Sequence, residues 1–582
     1  MTAFPDDLRK PVGQRLACLA ALVLMVLAPQ RAWSAPDAGS VLQQLEARPG
    51  GALSAPALQI PRVPTPPADG STGAVVRVNA FTLEGPTLLN PQILQAALKG
   101  FTGRDLSLTQ LQEAAWVIVQ TYREAGWLAH AVVPPQEIEG GVVTLRVLEA
   151  RLGQVHVDYP QARLPRDRIR AMADALLIAG EHVNLHRVDR VLLLLDDMPG
   201  AAASASFAEG REPGTTDVRI VLVQRKSLDA QVALDNQGSR STGSGRLSAS
   251  LAVNNLTGRG DALQIHAVET EGSRYARVGY THPVGVHGWR TGLYASDMRY
   301  HLVGSFAALQ ASGAAQTWGA QLMAPLTRQP THNLSWQLSA DRKRLDNQAL
   351  ANAQASAVTP VSHYVLDVVR SSLTSNWLDL LPTPAQNTVS LQLSRGRVDL
   401  SQSPNAQADA DAAHTAGMFG KLNAQYHREQ RITGQTSAYL QTAAQWANRN
   451  LDSSEKIYLG GPWGVRAYPS NEAGGTLGST VTLGLKHRLD AALILQAFAD
   501  AGRIQVYKHN ANAAGTPLTS LNTQSLRGLG LTLAWRSPQG HEVSGTWSRR
   551  HGQNPAANAS TGTDSDGTRT LNRFWLSAAV NF

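Results

Sequence analysis

The stretch LSASLAVNN, residues 247–255, alternates apolar and polar side chains along its length. Side chains two residues apart share a face of a β-strand, so the two kinds of side chain separate onto opposite faces. The apolar face carries Leu247, Ala249, Leu251 and Val253. The stretch therefore predicts a strand whose two faces meet different surroundings.

The same alternation recurs through the rest of the chain. After about residue 227 the helical period disappears, and short alternating segments are separated by turns rich in Gly, Asn, Asp and Pro. Such a series suits either an array of soluble β-sandwiches or one transmembrane β-barrel. Further examples are LSWQLSAD (334–341), TVSLQLSRG (388–396), AYLQTAAQW (438–446), TVTLGLKH (480–487), GLGLTLAW (528–535) and RFWLSAAVNF (573–582).

The N-terminus predicts a secretory signal peptide over residues 1–35. Basic residues precede the apolar run Leu16–Ala28, and small residues follow it in RAWSAPDAG, as in signal peptides. Cleavage after Ser34 and cleavage after Ala35 both fit. The alternative, a transmembrane anchor, fails because the run is too short to cross about 30 Å of hydrocarbon as a helix.

The amino-acid composition argues against several kinds of exported protein. Its only cysteine, Cys18, lies within the predicted signal peptide, so neither disulfides nor a thiolate metal site are expected in the mature protein. The formal net charge is +8, but the basic residues are scattered singly rather than in blocks, which argues against nucleic-acid binding.

Export favours the barrel over the sandwiches. The apolar face carries large side chains, whereas the other face is mostly Ser, Thr, Gln and Asn, and β-structure that crosses lipid must close to pair its backbone groups. Residues 227–582, divided among about 16–18 strands, leave about 20–22 residues for each strand and turn. The chain ends on an alternating segment whose last residue, Phe582, resembles the C-terminal signal of bacterial outer-membrane barrels.

Two small α+β modules precede the barrel. Residues 75–150 predict the order β-α-α-β-β, with one strand at 75–85 and helices at 90–101 and 105–127, and residues 151–226 repeat that order. Upstream, residues 36–50 predict a short helix, and the prolines of residues 51–74 predict an extended linker. Tandem modules in an exported chain suggest protein docking, although generic α+β domains have the same pattern.

No catalytic or metal-binding constellation is found, so the chain is not expected to be an enzyme or to hold a cofactor. GLG (528–530) lies in a strand pattern, where glycine permits a bend, and not in a dinucleotide loop. His182 and His186 have the spacing of a metal pair, but the predicted helix cap Asn184 lies between them. Asp196 and Asp197 are interpreted as a helix end.

Several long segments together resemble one family, the two-partner secretion transporters, or TpsB group, of the outer-membrane assembly superfamily. The resemblance covers nearly everything after the signal peptide. LLLLDDMPG is similar to the family's N-D-x-P-G element, with Asp196 where Asn is usual. The matching segments are AGWLAHAVVPPQEIEGGVVTLRVLEARLGQVHV (125–157), LLLLDDMPG (192–200), LDNQGSRSTGSGRLSASLAVNNLTGRGD (234–261), LDSSEKIYLGGPWGVRAYP (451–469) and LQAFADAGRI (495–504).

The resemblance implies a layout and a function. The fold is mainly β: a 16-stranded antiparallel transmembrane barrel (227–582) preceded by two POTRA domains (75–150 and 151–226) and an N-terminal plug helix (36–50). The POTRA domains lie in the periplasm of a Gram-negative bacterium and recognise a secreted exoprotein, which leaves unfolded through the barrel without nucleotide. Outer-membrane lipid and the barrel-assembly machinery are the other implied partners of a monomer.

The resemblance also implies the site residues. In the family, the arginine of V-R-G-Y lies in a loop folded into the barrel and pairs with the aspartate of F-x-D-x-G. Carried over, Arg466 pairs bidentately with Asp500 and acts as a lock on the pore loop. The alternative is that Arg466 merely lines a polar channel. The supporting positions are Gly464, Val465, Tyr468, Phe498 and Gly502.

The loop motif departs from the family at two points. Ala467 stands where glycine is usual, so a positive φ there would strain the backbone by roughly 1 kcal/mol. The acid that often follows the motif is missing, and Glu472 is a candidate to replace it.

Two other functions remain alternatives. An insertase of the barrel-assembly type shares the loop motif, but the leading helix and Pro-rich linker favour secretion. A porin or adhesin barrel would leave the tandem modules unexplained.

Overall fold

The computed structural model describes residues 36–46, 75–159, 163–350, 355, 357–380 and 383–582. The predicted signal peptide (1–35) and linker (51–74) lie outside these residues, as does the end of the predicted plug segment, 47–50. None of the described helices has the length and hydropathy needed to cross a bilayer.

The first module is a three-stranded sheet covered by two helices, with a small strand pair beside it. The sheet order is β2-β5-β4, and β1 pairs with β3. The elements are β1 (Val75–Val78), β2 (Ala80–Glu84), α2 (Pro91–Leu98), β3 (Arg104–Ser107), α3 (Leu108–Glu124), β4 (Ala129–Val132) and β5 (Val142–Glu149), and helix α1 (Ala38–Glu46) precedes them in the chain.

Two predicted boundaries in this module are wrong. The strand predicted at 75–85 is two strands separated at Asn79, because β1 pairs with β3 whereas β2 pairs with β5. The helix predicted at 105–127 begins only at Leu108, since Ser107 and Gln110 cap it reciprocally, each side chain accepting from the other's backbone N–H. The S-x-x-Q pattern was the sequence signal for that start.

The second module has the predicted element order and the sheet order β6-β8-β7. Asn184 caps α5 by accepting from the backbone N–H of Arg187, so His182 lies before the helix and His186 within it. Asp196 is the last residue of that helix. The elements are β6 (Arg151–Asp158), α4 (Arg166–Asp174), α5 (Leu185–Asp196), β7 (Ala201–Glu209) and β8 (Thr215–Gln224).

The closed barrel has sixteen antiparallel strands, which confirms the predicted fold class. Each strand pairs with the next, and the last, β26, pairs with the first, β9. The strands are β9 (Leu228–Asp235), β10 (Arg246–Asn254), β11 (Ala262–Glu269), β12 (Ser273–Val284), β13 (Trp289–His301), β14 (Ser312–Arg328), β15 (His332–Leu350), β16 (Val358–Asp379), β17 (Ala385–Asp399), β18 (Gly417–Arg431), β19 (Thr436–Ala447), β22 (Leu477–Arg488), β23 (Leu493–Gln505), β24 (Thr523–Arg536), β25 (Glu542–Arg550) and β26 (Asn572–Asn581).

The second module contacts the barrel at the turns of its periplasmic end. Arg328, at the end of β14, is buried and bonds both oxygens of Asp197 at 2.8 and 2.9 Å. Arg190 of α5 donates to the carbonyls of Pro325 and Leu326. Asp197, interpreted from the sequence as part of a helix end, therefore also joins the module to the barrel.

Helix α1 lies inside the barrel. Its apolar side packs against inward-facing residues that include Met298, Leu345 and Leu366. The inner face is thus not uniformly polar as the alternation suggested, because the wall facing α1 is apolar. A helix this short is marginal alone, and the wall supplies its packing. The residues of α1 buried in this contact include Val41, Leu42 and Leu45.

Candidate functional site

The segment between β19 and β22, residues 448–476, folds into the lumen and is called here the inward loop. Its base is the strand pair β20 (Ile457–Tyr458) and β21 (Gly474–Gly475). At its tip, Val465 donates its N–H to the carbonyl of Leu459 at 2.7 Å and closes a tight turn. Gly464 fits that turn because a Cβ there would lie 2.0 Å from the Leu459 oxygen.

The structure brings Arg466 and Asp500 together. Nε of Arg466 donates to Oδ2 at 2.9 Å and Nη2 donates to Oδ1 at 2.7 Å, while its backbone N–H also reaches Oδ2 at 3.1 Å. Thr482 on β22 donates to Oδ1 at 2.8 Å. The Asp500 side chain is 1% exposed and that of Arg466 is 15% exposed. The carboxylate is thus bonded on both oxygens in a poorly hydrated site.

Three other barrel residues complete the seat of Arg466. Its guanidinium carbon lies 3.2 Å from the centre of the Phe498 ring, a cation–π contact. Its backbone carbonyl accepts from Ser548 Oγ at 2.7 Å and from Trp575 Nε1 at 2.8 Å. Neither Ser548 nor Trp575 was predicted from the sequence, where the only signal is that each occupies an inward position on its strand.

Ala467 is accommodated without a positive φ, so the strain considered for it does not arise. Its side chain is fully buried and faces Gly528, where a Cβ would lie 2.6 Å from the Ala467 methyl. Gly502 makes similar room for Leu459. GLG, for which a bend was predicted, lies in β24, whose pairing continues in regular register through Gly528, and the missing side chain there makes room for Ala467.

Glu472 is held by a different part of the barrel, residues 551–571, which connect β25 to β26. It accepts from Asn554 Nδ2 at 2.8 Å and from the backbone N–H and Oγ of Ser565 at 2.9 and 2.6 Å. Burial raises the pKa of this carboxyl, and the neighbouring Asp564 raises it further, despite the bonds it accepts. Tyr468 lies nearby, with its ring 4.6 Å from the guanidinium carbon of Arg550.

A second charged cluster holds the start of the inward loop. Glu455 is 2% exposed and accepts from Lys421 at 2.6 Å, Arg370 at 2.8 Å and Lys343 at 3.3 Å. Burial acts to raise the pKa of Glu455, but the three cations together place it well below its usual range. No local motif marks this cluster, because its members lie on three strands and the loop.

The inward loop also contacts α1. A Cβ on Gly39 would lie 2.3 Å from Ser453 Oγ and 2.8 Å from the backbone nitrogen of Ser454. Asn471 donates to the carbonyl of Ser40 at 3.2 Å. At the N-terminal end of α1, the backbone N–H of Ala38 donates to Asn347 Oδ1 on β15 at 2.7 Å. The helix therefore lies between the loop and the barrel wall.

Gly39→Val is expected to displace α1 from the loop, because the added side chain would overlap backbone atoms of Ser454. Planar-bilayer recordings should then show a larger mean single-channel conductance than the wild type. Gly434→Val is a matched control in a turn where nothing lies within 4 Å of the added Cβ. Equal conductance of all three proteins would contradict the close contact.

Phe582, the predicted C-terminal signal, lies next to the first strand. Its backbone N–H donates to the carbonyl of Ala230 at 2.9 Å, and its side chain remains 66% exposed on the outer surface. The terminal residue thus extends the β26–β9 contact at the periplasmic end of the barrel.

Comparisons with known proteins agree with this architecture. Residues 214–524 match the family described as haemolysin secretion/activation protein ShlB/FhaC/HecB, and residues 76–150 match the ShlB-type POTRA domain. The chain is 27% identical to the heme/hemopexin transporter protein HuxB of Haemophilus influenzae strain 86-028NP over 444 residues, 75% of this chain and 77% of HuxB.

Solved structures share the fold at low sequence identity. CdiB from Escherichia coli superposes with a TM-score of 0.62 at 18% identity, covering 99% of this chain and 100% of that one. CdiB from Acinetobacter baumannii gives 0.58 at 15% identity with the same coverage. With a family match over more than half its length, the chain belongs to the haemolysin secretion/activation proteins ShlB/FhaC/HecB, which are two-partner secretion transporters of the bacterial outer membrane with periplasmic POTRA domains.

Proposed function

We propose that this transporter exports one large exoprotein in an unfolded state, and that the inward loop and α1 together hold its pore closed at rest. The observation that carries the proposal is the doubly occupied lumen. Arg466 fixes the loop to Asp500 on β23, and α1 fills the space between that loop and the opposite wall. Passage of a chain requires at least one of these occupants to move.

The POTRA domains are proposed to receive the partner by edge-strand addition. Each sheet has two edge strands, and β4 and β7, one edge of each sheet, pair on one side only within the described residues. An extended client added to such an edge is held by main-chain hydrogen bonds, which suit an unfolded sequence. Because the periplasm lacks ATP, folding of the client outside the cell would bias its movement outward.

Three further features belong to the proposal. The barrel acts as a monomer in outer-membrane lipid, and the exposed terminal Phe582 serves the barrel-assembly machinery during insertion. We also propose the division of the chain predicted from the sequence. It consists of a plug segment (36–50), a linker (51–74), two POTRA domains (75–150 and 151–226) and the barrel (227–582). No catalytic step is required of the chain.

Co-expression tests the function directly. The transporter should be produced in a Gram-negative host with the exoprotein encoded next to its gene, and the medium assayed for that exoprotein. Secretion that depends on the transporter supports export. Loss of other barrels from the outer membrane on deletion of the gene, with exoprotein secretion unchanged, would favour the insertase alternative instead.

Deleting residues 36–50 is expected to raise single-channel conductance, because α1 occupies the lumen. The effect should exceed that of Gly39→Val, which moves the helix without removing it. Planar-bilayer recordings of the purified proteins provide the measurement. Unchanged conductance after the deletion would show that α1 does not limit the pore.

A further inference from the structure

An unpaired group of arginines lies on the outer surface of the barrel, directly behind the seat of the inward loop. Arg503, Arg527 and Arg549 lie on the adjacent strands β23, β24 and β25, and all three are exposed. Within the described residues, none of the three forms an ion pair through its guanidinium. These residues are called here the arginine triad.

Strand register places the triad along one diagonal. Arg503 lies opposite Ser525, two residues from Arg527, and Arg549 lies opposite Leu529, two residues from Arg527 on its other side. Diagonal neighbours of this kind are about 7–8 Å apart, within reach of long side chains. The three guanidinium groups can therefore converge on one polyanionic ligand.

The triad faces outward rather than into the lumen. Asp500, Gly528 and Ser548 contact the inward loop, so the even-numbered positions of β23–β25 face inward. Strict alternation along unbroken ladders then turns Arg503, Arg527 and Arg549 away from the lumen.

No acid compensates this charge. The outward positions, odd-numbered on β22–β25 and even-numbered on β26, include neither Asp nor Glu. Within the described residues, Arg395 and Arg397 on β17 also face outward without an ion pair, but other outward arginines of the barrel differ in this respect. Three of them lie close to a carboxylate: Arg274 is 3.0 Å from Glu269, Arg299 is 3.5 Å from Asp297, and Arg342 is 2.6 Å from Asp367.

The position of the triad along the barrel axis indicates which part of the membrane its guanidinium groups contact. Along β24, Arg527 lies eight residues from Trp535, which at about 3.4 Å per residue and a tilt of about 40° is roughly 21 Å. Between them the outward Leu529, Leu531 and Leu533 are exposed and form the apolar band. Because β24 begins on the extracellular side, the triad lies at the headgroup level of the outer leaflet, with acyl chains directly below it.

We propose that the arginine triad binds the phosphate groups of the phosphorylated glycolipid, lipopolysaccharide, in the outer leaflet. Guanidinium groups bond phosphate oxygens bidentately, and a lipid is the anion present at that height beside an apolar wall. Since the triad spans the three strands whose inner faces hold Asp500 and Ser548, the bound lipid would brace the wall that seats the inward loop.

The test measures lipid binding and is independent of secretion. Full-length protein, purified free of lipopolysaccharide, is titrated with lipopolysaccharide, and the dissociation constant is compared with that of the triple variant Arg503→Gln, Arg527→Gln, Arg549→Gln. At about fivefold per arginine near an anionic surface, the triple variant should bind roughly 100-fold more weakly. The matched control is Arg274→Gln, Arg299→Gln, Arg342→Gln, which removes three outward arginines that lie beside acids and should bind nearly as the wild type does.

Dephosphorylated lipopolysaccharide and inorganic phosphate are two further ligands, which show whether the affinity depends on the phosphate groups and on the lipid. Chemically dephosphorylated lipopolysaccharide should bind the wild type as weakly as intact lipopolysaccharide binds the triple variant. Heat-modified mobility in gels confirms that each variant barrel is folded. The proposal is overturned if the triple variant binds like the control, if dephosphorylated lipid binds like intact lipid, or if inorganic phosphate alone binds as tightly as the lipid.

Discussion

Arg466→Gln and Asp500→Asn should each reduce secretion of the partner at least about tenfold while leaving a folded, inserted barrel. Breaking a buried ion pair from one side costs about 3–5 kcal/mol, because the remaining charge stays unpaired in a poorly hydrated site. About 1.4 kcal/mol already changes a population tenfold, so the inward loop should leave its seat in most molecules. Secretion should fall because an unseated loop has no fixed position in the lumen and obstructs the path of the exported chain. The amount of exoprotein in the medium, normalised to inserted transporter, is the measurement.

The double variant separates the pair from its surroundings. If the two charges act mainly on each other, Arg466→Gln with Asp500→Asn should be no worse than either single change. Arg342→Gln with Asp367→Asn is a matched control, since that pair is also bidentate but about half exposed on the outer wall. Normal secretion by both single variants would mean that Arg466 only lines the channel.

Glu455→Gln and Glu472→Gln should have opposite outcomes although both glutamates are buried in the same loop. Without its charge, residue 455 no longer neutralises Lys343, Arg370 and Lys421, and loss of a buried charge from such a cluster costs about 3–5 kcal/mol. Glu472 meets neutral donors, so an amide there loses about one hydrogen bond, roughly 1 kcal/mol, but also removes a buried charge beside Asp564, and the net change should be small. The temperature at which the barrel loses its folded gel mobility should fall for Glu455→Gln and hold for Glu472→Gln.

Folding changes the pKa values of Glu455 and Glu472 in opposite directions, and this predicts how seating of the inward loop depends on pH. The pKa of Glu455 is lowered by folding, so its stabilising effect is complete above the unfolded-state value of about 4.3 and is lost only as pH falls toward the lower folded-state value. The raised pKa of Glu472 has the opposite sign, since protonation on acidification relieves the cost of a buried charge. Protease accessibility of the inward loop should therefore be equal at pH 7 and pH 5. Release at pH 5 would contradict the lowered pKa of Glu455.

The sequence predicted the barrel and the POTRA topology because both depend on periodicity, which local residues carry. It placed Arg466 near Asp500 only through a resemblance of motifs, since a contact across 34 residues has no local signature. Ser548, Trp575 and the cluster around Glu455 were missed for the same reason. Each looks like an ordinary inward residue until barrel closure brings the strands together.

The glycine at 528 shows a second way in which long-range contacts escape prediction from the sequence. Gly528 was predicted to permit a bend, because its own strand is the context visible in the sequence. Its actual neighbour is the methyl group of Ala467, contributed by a loop about 60 residues earlier in the chain. Small residues in a strand thus indicate that something approaches closely, but the sequence alone does not identify it.

Trp575 lies on the final strand, so the residues that hold the inward loop are not all synthesised until the end of the chain. Synthesis delivers Arg466, Asp500 and Ser548 before the indole that bonds the Arg466 carbonyl. Without β26, Arg466 is held by its hydrogen bonds to Asp500 and by the Ser548 hydroxyl, which donates to its carbonyl. Complete seating of the loop therefore requires β26, so a chain truncated before its last strand should lack one of the two hydrogen bonds that hold the Arg466 carbonyl.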